Sequence, residues 1–172
     1  MVCSQFGDNV ICVATDEHLP EMVGIYNHAI VAGGQTGDLN PLAVEDRQQW
    51  FASHDGLHHR IYVKLAGKRV AGYVALSPYR VGRALFLQTA EISYYVHPDH
   101  QGKGYGTALI SHALDACAEM RTQCVVAILL SCNSRSVNIL KKFDFSLWGT
   151  LPGVGRLDGQ MVDHLYYGLQ LA

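Results

Sequence analysis

The sequence predicts a mixed α/β fold, one sheet of six or seven strands with helices on both faces. Three observations carry this expectation. Strand-length apolar or alternating runs and helix-period segments follow one another as strand, two helices, three strands, helix, strand, helix, two strands. The 172 residues suffice for one domain with a real core and are tight for two; no repeat, low-complexity segment or linker divides them, so residues 1–172 read as a single domain. Hydrophobic residues make up 49% and charged residues 16%, the balance of a globular chain and not of a disordered one.

The elements follow in order. Val10 to Ala14 alternates and reads as a strand. Thr15 or Asp16 can cap a helix that carries Leu19, Met22, Val23, Tyr26, Ala29 and Ile30 at helical spacing, and Gly33-Gly34 ends it. A polar loop reaches Pro41, and Val44 to Ser53 reads as a second helix with Trp50 and Phe51 inward. Ile61 to Leu65, the turn Ala66-Gly67-Lys68 and Val70 to Leu76 form a hairpin. Ser77 to Leu87 is a loop containing Arg80 and Arg83, and Ala90 to Val96 is the next strand. Thr107 to Met120 is a helix with Leu109, Ile110, Ala113, Leu114 and Cys117 inward. Cys124 to Leu130 reads as a buried strand, Ser134 to Phe143 as a helix, and Phe145 to Leu151 and Val162 to Leu171 as the last strands.

Composition excludes several classes. A formal net charge of −2 without a basic run argues against a nucleic-acid partner. The longest apolar run, Val125 to Leu130, is too short to span a bilayer, and Met1 to Gly7 does not read as a secretion signal. The cysteines Cys3, Cys12, Cys117, Cys124 and Cys132 are odd in number and lack C-x-x-C spacing, which fits a reduced, cytoplasmic protein with small buried thiols. His58-His59, His97 and His100 read as surface or loop residues, and no metal site is expected.

The stretch from Tyr94 to Thr107 is the most informative. A strand ends at His97-Pro98, three glycines alternate at 102, 104 and 106, and a helix begins. Unpaired N–H groups at a helix N-terminus, approached closely through glycines, suit a phosphate. A tight turn into a helix is the alternative. The spacing is not that of a Walker loop. Nor is it a Rossmann fingerprint, since it reads G-x-G-x-G and the following strand ends in Ser131-Cys132-Asn133 without an acid. Gln101-x-x-Gly104-x-Gly106 instead resembles the pyrophosphate loop of the GNAT acetyltransferases, which bind acetyl-coenzyme A, and the predicted element order is that of the GNAT fold.

Further motifs resemble one GNAT branch, the phosphinothricin acetyltransferase-like enzymes. They are Ile25-Tyr26-Asn27-His28-Ala29, Arg47-Gln48-Gln49-Trp50-Phe51, Ala71-Gly72-Tyr73, Glu91 to Pro98, and Val154-Gly155-Arg156. The similarity spans roughly residues 10 to 170. It implies transfer of an acetyl group from acetyl-coenzyme A, as co-substrate, to the α-amine of an amino acid or analogue, by direct attack in a ternary complex. It implies Glu91 as general base, against the alternative of a salt-bridged or solvated carboxylate, with His97 as the backup base. It places the pantetheine arm and the oxyanion on the backbone of Tyr94, Tyr95 and Val96, and the pyrophosphate on Gln101, Gly102, Lys103, Gly104, Tyr105, Gly106 and Thr107. Lys103 adds charge there or is simply solvated. Asn133 and Ser136, which also suit a helix cap, would touch the coenzyme arm. Arg80, behind Tyr79, would fork onto the acceptor carboxylate, with Arg83 and Arg156 as rivals. Tyr26 and Asn27 line the acceptor pocket or belong to the core.

Two positions depart from the family pattern. Leu140 stands where many members carry a tyrosine that protonates the departing thiolate, and Asp144 stands where glycine is usual. Other acceptors (a polyamine, an aminoglycoside or a protein N-terminus) and a non-catalytic acyl-coenzyme A sensor are the competing readings. Similar enzymes are often homodimers.

Overall fold

The computed structural model describes residues 10–54, 56 and 58–171; Cys3 and the N-terminal residues in which no secretion signal was read lie outside them. The strands are β1 (Ile11–Val13), β2 (Arg60–Ala66), β3 (Arg69–Pro78), β4 (Thr89–Val96), β5 (Cys124–Leu130), β6 (Ser146–Leu157) and β7 (Gln160–Gln170). The helices are α1 (Leu19–Ala32), α2 (Val44–Ala52), α3 (Tyr105–Cys117) and α4 (Ser134–Lys141). One seven-stranded sheet runs β1-β2-β3-β4-β5-β7-β6, antiparallel throughout except for the parallel pair β4–β5. The mixed α/β expectation and the element order hold.

Strand alternation sorts the side chains onto two faces. On one face Val74, Leu76, Ala90, Ile92, Val125 and Ala127 pack with Leu109, Ile110, Ala113 and Cys117 of α3 and Leu140 of α4. On the other, Ile61, Val63, Tyr73 and Ala75 pack with Met22 and Ile25 of α1, and Trp50 and Phe51 of α2 close over them half-exposed. Removing apolar surface on both sides of a central sheet is the main stabilising term.

Several boundaries differ from the sequence reading for local reasons. Gly104 takes φ 79° and caps α3, so the helix begins at Tyr105 and not at Thr107. A tight turn at Arg121, φ 55°, follows its earlier end at Cys117. The β6 strand runs past Pro152-Gly153 to Leu157 because register shifts after Leu147 and Leu151 absorb the irregular residues. Asp144 adopts φ 62°, the left-handed region that favours glycine, in keeping with the glycine expected at this position. Cys117, Cys124 and Cys132 are free, but Cys12 is disulfide-bonded, so the all-reduced expectation fails: an odd count still permits one pair, and a disulfide needs no C-x-x-C spacing. Among the described residues no helix is long and apolar enough to cross a membrane.

Gly72 shows how closely the two faces are fitted. A Cβ there would sit 2.9 Å from the Tyr95 carbonyl oxygen and 3.2 Å from Leu109 Cδ1. Gly72→Ala is therefore expected to destabilise the protein by about 1–3 kcal/mol, the usual cost of overpacking, as measured by urea unfolding.

Candidate active site

β4 and β5 pair over three residues only, Thr89–Cys124, Ala90–Val125 and Glu91–Val126. Beyond that point each strand keeps its outer partner, β4 with β3 up to Val96 and β5 with β7 up to Leu130. The two therefore part as a wedge whose inner edges carry backbone groups without a ladder partner, a demand that a ligand or water must meet. Glu91 sits on the last paired rung, at the apex.

The wedge holds two connected spaces. A narrow one of about 60 Å3 is lined by Ile92 to Tyr95, Ala127 to Leu129, and Asn133, Ser136 and Leu140. A wide one of about 530 Å3 opens toward Gly33-Gly34, Gln101, Gly106 and the start of α4. The first turns of α3 and α4 both face this mouth, so two sets of unpaired N–H groups and two positive helix ends converge on it. Asn133 caps α4, its Oδ1 accepting the Ser136 N–H at 3.2 Å. Arg135 lines the mouth and donates to Gln101 Oε1, while Gln101 Nε2 donates to the Val96 carbonyl at 3.2 Å. The arrangement suits a ligand with a multiply charged phosphate end and a narrow amide-bearing arm.

The expected cofactor residues divide accordingly. Tyr94, Tyr95, Val96, Gln101, Gly106, Asn133 and Ser136 line the wide space. Gly102, with φ 74°, and Gly104 shape the loop into α3, and Tyr105 and Thr107 belong to its first turn. Lys103 is exposed and lies off the lining. Arg135 holds the place on the lining that the sequence reading offered to Lys103; Arg135 stood in the cap motif, and its charge was the available signal.

The Tyr94 hydroxyl is buried beside Ser136 without a hydrogen bond of good geometry among the described residues; burial raises its pKa, and the Ser136 hydroxyl opposes the rise. Such an orphan costs about 1–3 kcal/mol until a partner arrives. Leu140, where the resemblance leads one to expect a tyrosine, is buried on the lining of the narrow space, and Tyr94 brings a phenol to the same space.

On β4 the residues Thr89, Glu91, Ser93 and Tyr95 face α1 and α2, opposite to Ala90 and Ile92. Glu91 is half-buried, and burial alone raises its pKa. Among the described residues it makes no ion pair. The salt-bridge alternative for Glu91 is therefore not what the structure holds. Its antiparallel neighbour Ser77 shares its face. Ser77 Oγ lies 2.9 Å from His54 Nε2, and His54 Nδ1 lies 2.8 Å from the Trp50 carbonyl. A carbonyl can only accept, so Nδ1 carries the proton and Nε2 accepts from the serine hydroxyl. Burial lowers the His54 pKa, in keeping with this neutral form. Sequence reasoning missed His54, because only strand register reveals that Ser77 stands beside Glu91.

The expected acceptor residues are spread out. Tyr79 is half-buried at the end of β3, with the exposed Arg80 guanidinium 5.6 Å from its ring. Tyr26 is buried edge-on to Tyr95 at 4.9 Å, and its hydroxyl binds Asp38 and Thr36 in the loop after α1. Asn27 spends both ends of its amide on the Leu42 backbone, at 2.9 and 2.8 Å, which makes it a clamp on that loop and not a pocket donor. Arg156 is exposed near the β6–β7 turn, beside Leu157 and Asp158 at the wide mouth of the wedge and remote from the Glu91 rung. His97 lies past the wedge, its ring 5.1 Å from His28. Among the described residues no group of three or more His, Cys, Asp or Glu side chains is placed to hold a metal ion.

Residues 23–145 match the family model described as the acetyltransferase (GNAT) family. The L-methionine sulfoximine/L-methionine sulfone acetyltransferase of Salmonella typhimurium is 29% identical over 167 residues, covering 97% of this chain and 93% of its own. The phosphinothricin N-acetyltransferase of Streptomyces coelicolor is 30% identical over 155 residues, covering 88% of this chain and 90% of its own. The structure of yncA from Salmonella typhimurium, solved with its cofactor acetyl-CoA, superposes with a TM-score of 0.89 at 28% identity, over 96% of this chain and 95% of that one. This chain belongs to the GNAT acetyltransferase family.

A carboxyl whose pKa is raised on folding contributes stability that is full below its unfolded value and is lost as pH rises through the folded value. Glu91→Gln removes that loss. The variant should be at least as stable as the wild type at pH 7 in urea unfolding; a less stable variant would mean that the carboxylate carries a structural bond.

Proposed function

We propose that this GNAT-family chain moves the acetyl group of acetyl-coenzyme A onto the α-amine of a free amino acid or amino-acid analogue, with both substrates bound at once. The observation that carries the reading is Glu91, half-buried and, among the described residues, unpaired with any cation, at the apex of the wedge. The coenzyme fits the wedge by its chemistry. Its pyrophosphate meets the first turns of α3 and α4 with Arg135, and its amide-bearing arm pairs with the open edge of β4 from Tyr94 to Val96. The Tyr94 hydroxyl, otherwise orphaned, donates to an acceptor atom on the arm.

An ammonium group cannot attack a thioester, so the acceptor must first lose a proton. Glu91 takes it, directly or through water. A carboxyl with a raised pKa holds that proton better than an ordinary one. The neutral His54 adds no competing positive charge and fixes Ser77 beside the carboxylate. The strand amides that hold the arm also face the thioester carbonyl, where charge develops as the amine attacks. The names of the relatives, with phosphinothricin and methionine sulfoximine as acceptors, support an amino-acid-like substrate. The homodimer implied by the resemblance finds support in the exposed apolar residues Leu147, Leu151, Val154 and Met161 of β6 and β7.

Thiol release from acetyl-coenzyme A against a panel of amino acids and analogues tests the reading. Glu91→Gln should lower kcat by about 10²–10⁴ with coenzyme binding retained, and should lose the acid limb of the pH–rate profile. Unchanged turnover across pH would remove Glu91 as the base. Tyr94→Phe should raise the KM for acetyl-coenzyme A about 2- to 10-fold while leaving the free protein as stable as before, since a buried unpaired hydroxyl is deleted.

A further inference from the structure

A second cavity, of about 370 Å3, opens on the Glu91 face of the sheet. Its floor includes Thr89, Cys124 and Val126. Thr89 is two residues before Glu91 on the same face, and Val126 is the strand partner of Glu91. The cavity therefore begins beside the carboxylate, on the side away from the coenzyme mouth.

Its walls are four aromatic rings, Tyr79, Phe86, Trp148 and Tyr166, and among the described residues no charged side chain lines it. The rings are held in place. Tyr79 and Phe86 meet edge to face at 5.8 Å. The Trp148 Nε1–H donates to Ser146 Oγ at 3.0 Å, and the indole lies flat on Gly168, where an added Cβ would fall 2.2 Å from the ring. Arg80, 5.6 Å from the Tyr79 ring, puts a cation at the rim. The volume is within the range of small-ligand sites, roughly 300–1,000 Å3.

An acceptor that fits presents three features in order: an amine at Glu91, a carboxylate within reach of Arg80, and a flat apolar group between the rings. Polar sulfoximine or phosphinate groups would find only the hydroxyls of Thr89, Tyr79 and Tyr166 on this lining, and would give up more water than these replace. We infer that the cavity is the side-chain subsite of the acceptor and that the preferred acceptors are aromatic α-amino acids. This inference rests on the acetyl-transfer reading above and names its substrate class.

The test compares kcat/KM for phenylalanine, tyrosine and tryptophan with that for methionine sulfoximine and phosphinothricin. The aromatic acceptors should lead by about tenfold or more. Trp148→Ala and Tyr79→Leu should each cut that lead about tenfold with the KM for acetyl-coenzyme A unchanged. Thiol labelling of the wild-type protein, mapped by mass spectrometry, gives a readout independent of any variant. Phenylalanine should protect Cys124, which lines this cavity, and acetyl-coenzyme A should protect Cys132, which lines the wedge. Equal or better turnover of the polar analogues, or no protection of Cys124 by phenylalanine, overturns the subsite and leaves the acetyltransferase reading standing. Silence with every amino acid, while acetyl-coenzyme A still protects Cys132, overturns both.

Discussion

The parting of β4 from β5 after a single three-residue contact is the constraint on which the rest of the molecule depends. Both strands are anchored on their outer edges, so neither can close the gap, and the inner edges keep donors and acceptors that the sheet does not use. Backbone groups of this kind are costly unless something pairs with them. The fold thus builds a binding slot out of missing sheet hydrogen bonds. The slot is narrow where the strands have just separated and wide where α3 and α4 begin, which matches a ligand with a thin arm and a bulky charged end. Few side chains are needed for this, and those present mostly hold the loops: Asn133 caps α4, and Gln101 ties the glycine loop to Val96 and Arg135.

The same divergence sets the electrostatics of Glu91. At the apex the sheet is still continuous, so the carboxylate is partly shielded from water, and among the described residues no cation pairs with it. A neighbouring arginine would have pulled its pKa down and made it a poor proton acceptor. His54 could have supplied such a charge, yet its hydrogen bonds to the Trp50 carbonyl and Ser77 and its burial favour the neutral ring. Arg47, near enough to His54 to help lower its pKa, is itself engaged with Tyr26 and Trp50, its guanidinium 4.8 and 3.9 Å from their rings.

Much of this was legible in the sequence, because hydrophobic period and glycine placement are local signals. The order of strands and helices, the glycine loop and the strand carrying Glu91 follow from such signals. What could not be read depends on contacts between distant segments. Asn27 looks like a pocket residue until the loop carrying Leu42 folds back onto it. His54 gains significance only when Ser77 pairs with Glu91. The aromatic cavity draws Tyr79, Phe86, Trp148 and Tyr166 from three separate stretches, none of which has a periodic pattern that would announce a shared site. The Cys12 disulfide was likewise invisible to a count and spacing rule.

The cysteines also bear on how the acetyl group travels. A relay through an acyl-enzyme would need a thiolate between the two substrates. Cys117 is buried on the α3 side, with its pKa pushed up to about 11, and cannot serve. Cys124 faces the aromatic cavity, where burial also raises its pKa, so the thiol form dominates at neutral pH. Cys132 lies at the wide mouth of the wedge, two residues beyond the end of β5 at Leu130 and away from the apex. The apex itself offers a carboxylate, a serine and strand amides, which suit proton removal and charge stabilisation. On the proposed reading, such a site holds amine and thioester together at the apex, and the amine attacks the acetyl group without an intermediate carrier.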